Sequence, residues 1–406
     1  MVKTIQQLIE AEAKRQQETL SLIASENIAS RAVREAVGSV LMNKYSEGYP
    51  NKRYYGGNEI ADEVEERAIE LAKKLFHAEH ANVQPYSGSP ANIATYTALA
   101  NFGDTIMGMS LAHGGHLTHG HKVSISGKAY KFIQYGVDQA TGLLNYDEIE
   151  TMAKIFKPKI IVCGATAYPR EIDFARFAKI AKQVGAYLLA DISHIAGLIA
   201  GGVHPQPFPH ADVVMTTTHK TLRGPRGAII MCKKPLASLI DKAIFPGLQG
   251  GPHDNITAAK AICLEEASKP EFKKYARQII DNAHALASNL TQFGFKLVSG
   301  GTDTHLMLVD LNNKKITGME AEQALEQVGI IVNKNMIPGD LRSPFDPSGI
   351  RLGVANITTR GMTEPDMAEL ASIINDTLAN PTSKSVLSQA KKRVVELTIK
   401  FPIPSS

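Results

Sequence analysis

Three cysteines in 406 residues, Cys163, Cys232 and Cys263, are too few and too widely spaced for a disulfide framework or a zinc knuckle. A scattered, odd-numbered set suits a reducing compartment. Long apolar runs are absent too, and nothing approaches the roughly 18 residues a membrane span needs. The opening MVKTIQQLIEAEAKRQQ interleaves charges with apolar residues at helical spacing, unlike a signal or transit peptide. These absences predict a cytoplasmic protein with no membrane partner. No charge sign dominates either: 44 basic and 40 acidic residues leave +4, which argues against a nucleic-acid partner. The one basic run, Lys391 to Arg393, reads as the solvated face of a helical tail. Neither a Walker A pattern nor a GxGxxG after a strand is present, so nucleotide binding loses ground. There is no internal repeat and no low-complexity segment.

What remains is ordinary globular composition, 44% hydrophobic and 21% charged. The length predicts two to three domains. Residues 1–20 read as a helical arm with Ile5, Leu8, Ile9 and Ala13 on one face. A loop-rich stretch follows, with NKYSEGYPNKRYYGG, and from residue 61 a helix, ADEVEERAIELAKKLF. Four apolar runs read as strands: IIVCGA (160–165), AYLLAD (186–191), DVVMTT (212–217) and AIIMC (228–232). A helix, FARFAKIAKQVG, lies between the first two and closes at Gly185. Strands alternating with helices predict an α/β fold on a mostly parallel sheet, whose ligand sits beyond the carboxyl ends of its strands. After a helical stretch at 253–293, GFKLVSG, THLMLVDL and GMEAEQALEQVG predict a smaller α+β unit. The expected division is an arm (1–20), a large domain (21–280) and a small domain (281–406).

The chemistry concentrates where strands end. In VVMTTTHKTLRGPRG an apolar run delivers Lys220 to a glycine-rich basic turn. A lysine becomes a nucleophile only when desolvated or set beside other cations, and His219 and Arg223 are the expected neighbours. Asp191 ends AYLLAD, and His194 follows in DISHIAGL. An aspartate there is often only a helix cap. Paired with Lys220 across one strand–helix unit, it suits a pyridoxal phosphate site, which needs a lysine and an acid for the pyridinium nitrogen. SGSPAN, at Ser87, Gly88 and Ser89, places small residues before a helix, where backbone N–H groups hold anions. LAHGGHLTHGH carries His113, His116, His119 and His121. Zinc is the lesser reading, and a histidine stacked on a planar cofactor is the better one. The Gly114–Gly115 pair suggests a backbone that approaches a ligand closely. Arg351, in SGIRLG, is a candidate fork for a substrate carboxylate. Glu47, among tyrosines in YSEGYP, is a candidate proton carrier.

These motifs together resemble one family, serine hydroxymethyltransferase, a fold-type I pyridoxal phosphate enzyme with an aspartate aminotransferase-like fold. The resemblance runs from SLIASENI at Ser21 to TTRG at Gly361, with the motifs in family order. It implies Lys220 as the cofactor's lysine, Asp191 as the pyridinium partner, His116 as the ring-stacking histidine and His194 beside the phenolic oxygen. Ser87, Gly88 and Ser89 correspond to the phosphate cradle, with Thr166, Thr217 and His219 around the cofactor and its lysine. Ser25 and Arg351 match residues that hold the amino acid. Tyr45, Glu47 and Tyr55 match a loop supplied by the partner subunit, and Gly250 and Gly251 match the partner's glycine pair near the phosphate. Leu111, Gly115, Leu117, Asn335, Ser343, Pro344 and Phe345 lie where the family holds its pterin. The implied activity is reversible transfer of serine's hydroxymethyl carbon to tetrahydrofolate or a related reduced pterin, leaving glycine, in a homodimer with shared sites.

The sequence departs from the family in places. Pro90 and Thr166 stand where bacterial members often have glutamine and serine, and Ser193 where alanine is common. Gly339-Asp340-Leu341 replaces an expected Asn-Asp-Pro. Two rivals remain: a threonine-type aldolase on the same fold, which needs no pterin, and a non-catalytic binding protein on that fold, for example one that binds RNA.

Overall fold

The computed structural model describes residues 2–404. Strands β1 (His80–Asn82), β2 (Thr105–Met109), β3 (Lys131–Tyr135), β4 (Ile160–Cys163), β5 (Tyr187–Asp191), β6 (Val213–Thr217) and β7 (Ala228–Cys232) form one sheet in the order β1-β7-β6-β5-β4-β2-β3. Neighbours from β3 to β6 pair in parallel. Only β7 runs against both of its neighbours. The Thr218–Gly227 link is too short for the crossover helix that a parallel return requires, so β7 turns back on β6.

Alternation along each strand explains why these runs are apolar throughout. Ile160, Val162, Leu189, Val213, Met215 and Ile230 face one packed layer, which contains the helix α3 (Gly88–Leu99). Ile161, Cys163, Leu188, Ala190, Val214 and Ile229 face the other, which includes α2 (Glu59–Phe76), α4 (Phe174–Val184) and α5 (Asp254–Ala267). Both faces being covered, neither can carry a polar alternation. The three cysteines are buried and free.

The helical stretch at 253–293 is two helices, α5 and α6 (Pro270–Gln292). Pro270 lacks an N–H and suits only the first turn of a helix, so it starts a new one. Helix α6 runs through residue 281, where the small domain is expected to begin. Beyond it, β8 (Lys296–Leu297), β9 (Leu306–Asp310), β10 (Asn333–Asn335) and β11 (Gly349–Gly353) form an antiparallel sheet in the order β8-β9-β11-β10. Helices α6, α7 (Gly318–Val328), α8 (Glu364–Ala379) and α9 (Lys384–Lys400) pack around it. The arm is helix α1 (Ile5–Glu18), opened by a Thr4 capping box, and none of its residues is buried in this chain. Among the described residues no helix is long and apolar enough to cross a membrane.

Candidate active site

The carboxyl ends of β4, β5 and β6 open onto one cavity of about 360 Å³. Asp191 is the last residue of β5, and Lys220 follows β6, with its Nζ donating to Thr217 Oγ1 at 2.7 Å. Burial lowers the lysine to about 8, reinforced by Arg226 and Arg351 and opposed by Asp191. The cationic neighbours are therefore not those expected from the local sequence. Arg223 turns away and stacks over the Tyr275 ring at 5.0 Å. His219 is pushed down to about 3 by burial and by Lys220, so its imidazole is neutral at pH 7.

Asp191 is held by four groups. Its Oδ1 accepts from the Ser193 amide at 3.1 Å and hydroxyl at 2.6 Å. Its Oδ2 accepts from Asn92 Nδ2 at 3.0 Å and lies 3.2 Å from His119 Nε2. Burial alone would raise this carboxyl, but His119, Ser193 and Asn92 outweigh it and hold the group well below the usual carboxylate range. Asn92, His119 and Ser193 were not picked out by sequence as partners of this carboxylate. Asn92 was legible only as four residues beyond Gly88 on α3, hence one turn along the same face.

The Ser-Gly-Ser turn is itself the start of α3: Ser87 is the N-cap, and its hydroxyl makes no capping bond. A Cβ on Gly88 would stand 2.8 Å from Thr217 Cγ2, so only glycine lets the helix N-terminus meet the end of β6 here. The amides of this first turn thus face the cavity that holds Lys220 and Asp191. The residues present fit pyridoxal phosphate: an anion cradle, an amine, and an ionised carboxylate for a protonated ring nitrogen share one enclosure. Ser25, His116, Thr166, Thr217, His194 and His219 also line it. His116 is lowered to about 4, chiefly by burial, and its Nδ1 pairs with Thr118 Oγ1 at 2.7 Å.

The four histidines of LAHGGHLTHGH do not converge. His113 Nδ1 accepts from the Val137 amide, and His119 faces Asp191. Among the described residues no group of three or more His, Cys, Asp or Glu is placed to hold a metal ion. The glycine pair is required by the fold itself. A Cβ on Gly114 would meet the Ala167 carbonyl at 2.6 Å, and one on Gly115 the Met109 carbonyl at 2.0 Å. Both glycines thus let the chain pass close to its own backbone here.

Arg351 sits in the middle of β11, 7% exposed. Its Nε donates to Asn333 Oδ1 at 3.0 Å and its Nη1 to the Thr166 carbonyl at 2.8 Å. No carboxylate among the described residues pairs with it, and burial lowers its guanidinium to about 10.

A second cluster stands apart from this cavity. Tyr45 donates to Glu47 Oε1 at 3.1 Å, and its ring meets Tyr55 edge-on with centroids 5.3 Å apart. A Cβ on Gly250 would lie 3.2 Å from Glu47 Oε1, and one on Gly251 the same distance from the Tyr45 ring. Tyr45 and Tyr55 are about half exposed. The loop is pinned from behind: Arg53 donates to the Ser46 and Gly48 carbonyls at 2.8 and 2.9 Å and to Glu65 Oε2 at 2.6 Å. None of these five residues lines the Lys220 cavity of its own chain. Of the expected pterin residues, Leu111, Asn335 and Pro344 line a third, open groove together with Lys122 and Lys334. Gly115, Leu117, Ser343 and Phe345 do not line it, and Phe345 is 83% exposed.

A family model described as serine hydroxymethyltransferase matches residues 1–374. A serine hydroxymethyltransferase from Desulfotalea psychrophila is 56% identical over 397 residues, which is 98% of this chain and 93% of that relative. With the fold-type I sheet and the lysine–aspartate cavity at its strand ends, the chain belongs to the serine hydroxymethyltransferase family, pyridoxal phosphate enzymes that interconvert serine and glycine with tetrahydrofolate as the carbon carrier.

Proposed function

We propose that the Lys220 cavity is the catalytic site of this activity and that two copies of the chain complete it together. The observation that carries the reading is one cavity lined by both a softened amine, Lys220, and a buried carboxylate, Asp191, that Asn92, His119 and Ser193 keep ionised. Pyridoxal phosphate, when bound, supplies an electron-withdrawing ring that takes up the charge left as a bond at the amino acid's α-carbon breaks. The chain's own residues do the rest. The Ser87–Ser89 amides and hydroxyls would hold the phosphate, Asp191 would keep a proton on the ring nitrogen, and His116 would cover the ring. Thr166, Thr217 and His219 would shape its edge, and His194 would face the phenolic oxygen. Lys220 would hold the aldehyde.

Arg351 has no acidic partner among the described residues, which supports a substrate carboxylate as its missing counter-charge, with Ser25 of the cavity lining as a second ligand. Leu111, Asn335 and Pro344, with Gly115, Leu117, Ser343 and Phe345 at the margins, would hold tetrahydrofolate. Glu47 carries a proton at its Oε atoms for the pterin step.

The separation of Tyr45, Glu47, Tyr55, Gly250 and Gly251 from the Lys220 cavity supports a homodimer in which this cluster completes the partner's site. The unburied face of α1 is a further surface for that contact. The three buried thiols support a cytoplasmic setting. The large unit, 21–280, would carry the cofactor, and the small unit, 281–406, would carry Arg351.

Complementation tests the shared site. Lys220→Ala and Glu47→Gln homodimers should each be inactive in folate-dependent serine cleavage. Refolded together, half the dimers are mixed and one of their two sites is intact, so about a quarter of full activity should return. No recovery would place Glu47 in its own chain's site, and an active Glu47→Gln homodimer would place it outside catalysis. Serine cleavage that runs equally fast without tetrahydrofolate would point to the aldolase instead.

A further inference from the structure

His305, which immediately precedes β9, is fully buried and belongs to no motif considered so far. Its Nε2 lies 3.3 Å from His194 Nδ1 and 3.2 Å from the Ala24 carbonyl oxygen. Its Nδ1 is buried with no hydrogen-bond partner among the described residues. The two rings are tilted by 31° with centroids 5.4 Å apart. Burial and the neighbouring Arg351 and Lys220 charges keep both imidazoles neutral, so each ring carries one N–H.

Two neutral arrangements compete. If His305 carried its proton on Nδ1, a buried donor would have no acceptor, and the Nε2 lone pair would face the lone pairs of Ala24. If the proton is on Nε2, it has two acceptors within reach, the Ala24 carbonyl and His194 Nδ1, and only an unpaired acceptor is left at Nδ1. An orphaned buried donor disfavours the first arrangement by roughly tenfold or more. With Nε2–H on His305, a proton on His194 Nδ1 would collide with it. His194 must then carry its proton on Nε2, which has no protein partner among the described residues, while the ring lines the Lys220 cavity.

We propose that His305 is a positioning residue that fixes the tautomer of His194, so that His194 presents an N–H donor, and not a lone pair, to the cavity. The chemical class that such a donor selects is an anionic or phenolic oxygen. The inference rests on reading His194 as the neighbour of the cofactor's phenolic oxygen only for that consequence; the tautomer follows from the chain's own atoms.

The test is a long-range ¹H–¹⁵N spectrum of histidine-labelled holoenzyme, with the His194 signals assigned by their loss in His194→Asn. His194 should show a protonated Nε2 and a bare Nδ1. In His305→Phe the two tautomers should mix. In His305→Gln, whose amide N–H replaces the donor, the single tautomer should return. A protonated His194 Nδ1 in the native enzyme overturns the proposal without any variant having to fold. So does a His305→Phe spectrum identical to the native one, or His305→Gln behaving like His305→Phe. The cofactor's visible band reads the other claim separately. If it does not move in His194→Asn, His194 is not the cofactor's neighbour, whatever its tautomer.

Discussion

Lys220 Nζ and Thr217 Oγ1 are 2.7 Å apart, joined across the end of the strand that delivers both. The hydroxyl gives the amine one partner in a place where burial disfavours its charge. No carboxylate among the described residues pairs with Lys220 directly, so the ammonium is easily given up.

That predicts a pH profile. Attack on an aldehyde needs the neutral amine, and Lys220 is lowered from 10.5 to about 8. Capture of pyridoxal phosphate by the apoprotein should speed up about tenfold per pH unit on the acid side and level off near pH 8. Stopped-flow growth of the visible cofactor band gives the rate. A plateau reached only near pH 10 would show that the lysine is not desolvated.

Ser193 and Asp191 make the second prediction. Asp191→Asn keeps the shape but removes the charge proposed to face the ring nitrogen, and kcat should fall by on the order of 10²-fold or more. Ser193→Ala removes one donor to the carboxylate and also the acceptor of the Thr217 amide. Because Ser193 helps hold Asp191 below the usual range, its loss raises that pKa. The acid limb of kcat/KM should then move to higher pH, with the alkaline limb unchanged. An unmoved acid limb would mean that Asn92 and His119 suffice alone.

Much of this site was legible because chemistry and strand ends coincide in the sequence. DVVMTT and AYLLAD read as buried strands since both faces of the sheet are covered, and Lys220 and Asp191 follow at their ends. Strands β1, β2 and β3 were not legible. His80–Asn82 is too short, Gly108 interrupts β2, and β3 lies at the sheet edge with Lys131 and Gln134 exposed. The partners of Asp191 were hidden for another reason. Asn92 and His119 reach it from 99 and 72 residues away, and no local pattern reports a contact of that range. His305 shows no signal at all in THLMLVD, because its role comes from facing a ring 111 residues away. Arg223 is expected beside Lys220 on adjacency alone, but the turn after Lys220 sends it to Tyr275 and leaves Arg226 as the nearby cation.

The Arg53–Glu65 pair behind the Glu47 loop gives a stability prediction. Their side chains are 3% and 2% exposed, and they meet at 2.6 Å. Arg53→Met strands a buried carboxylate and should cost about 3–5 kcal/mol in urea unfolding. Adding Glu65→Gln should recover part of that loss. The double variant should still show reduced folate-dependent turnover, because Arg53 also holds the Ser46 and Gly48 carbonyls that flank Glu47. If the double variant has full activity, the loop does not depend on Arg53 for its position.

Arg351 supplies the sharpest separation of binding from folding. Two of its nitrogens are already committed, Nε to Asn333 and Nη1 to the Thr166 carbonyl, and this fixes the guanidinium plane. Nothing acidic among the described residues answers its charge. Lysine at this position keeps the charge but not the fork, and it cannot make both of those bonds while also reaching a carboxylate. Arg351→Lys should therefore lower kcat/KM for serine by on the order of 10²- to 10³-fold, within the ~2–5 kcal/mol expected when a buried charge pair loses its geometry. The loss should be largely in KM if Arg351 only binds, and in kcat as well if it aligns the bond to be broken. The cofactor's visible band should be unaltered, and ethanolamine, which has no carboxylate, should bind the variant and the native enzyme equally. A loss below about fivefold would leave Arg351 as a structural cation tying β11 to the turn after β4.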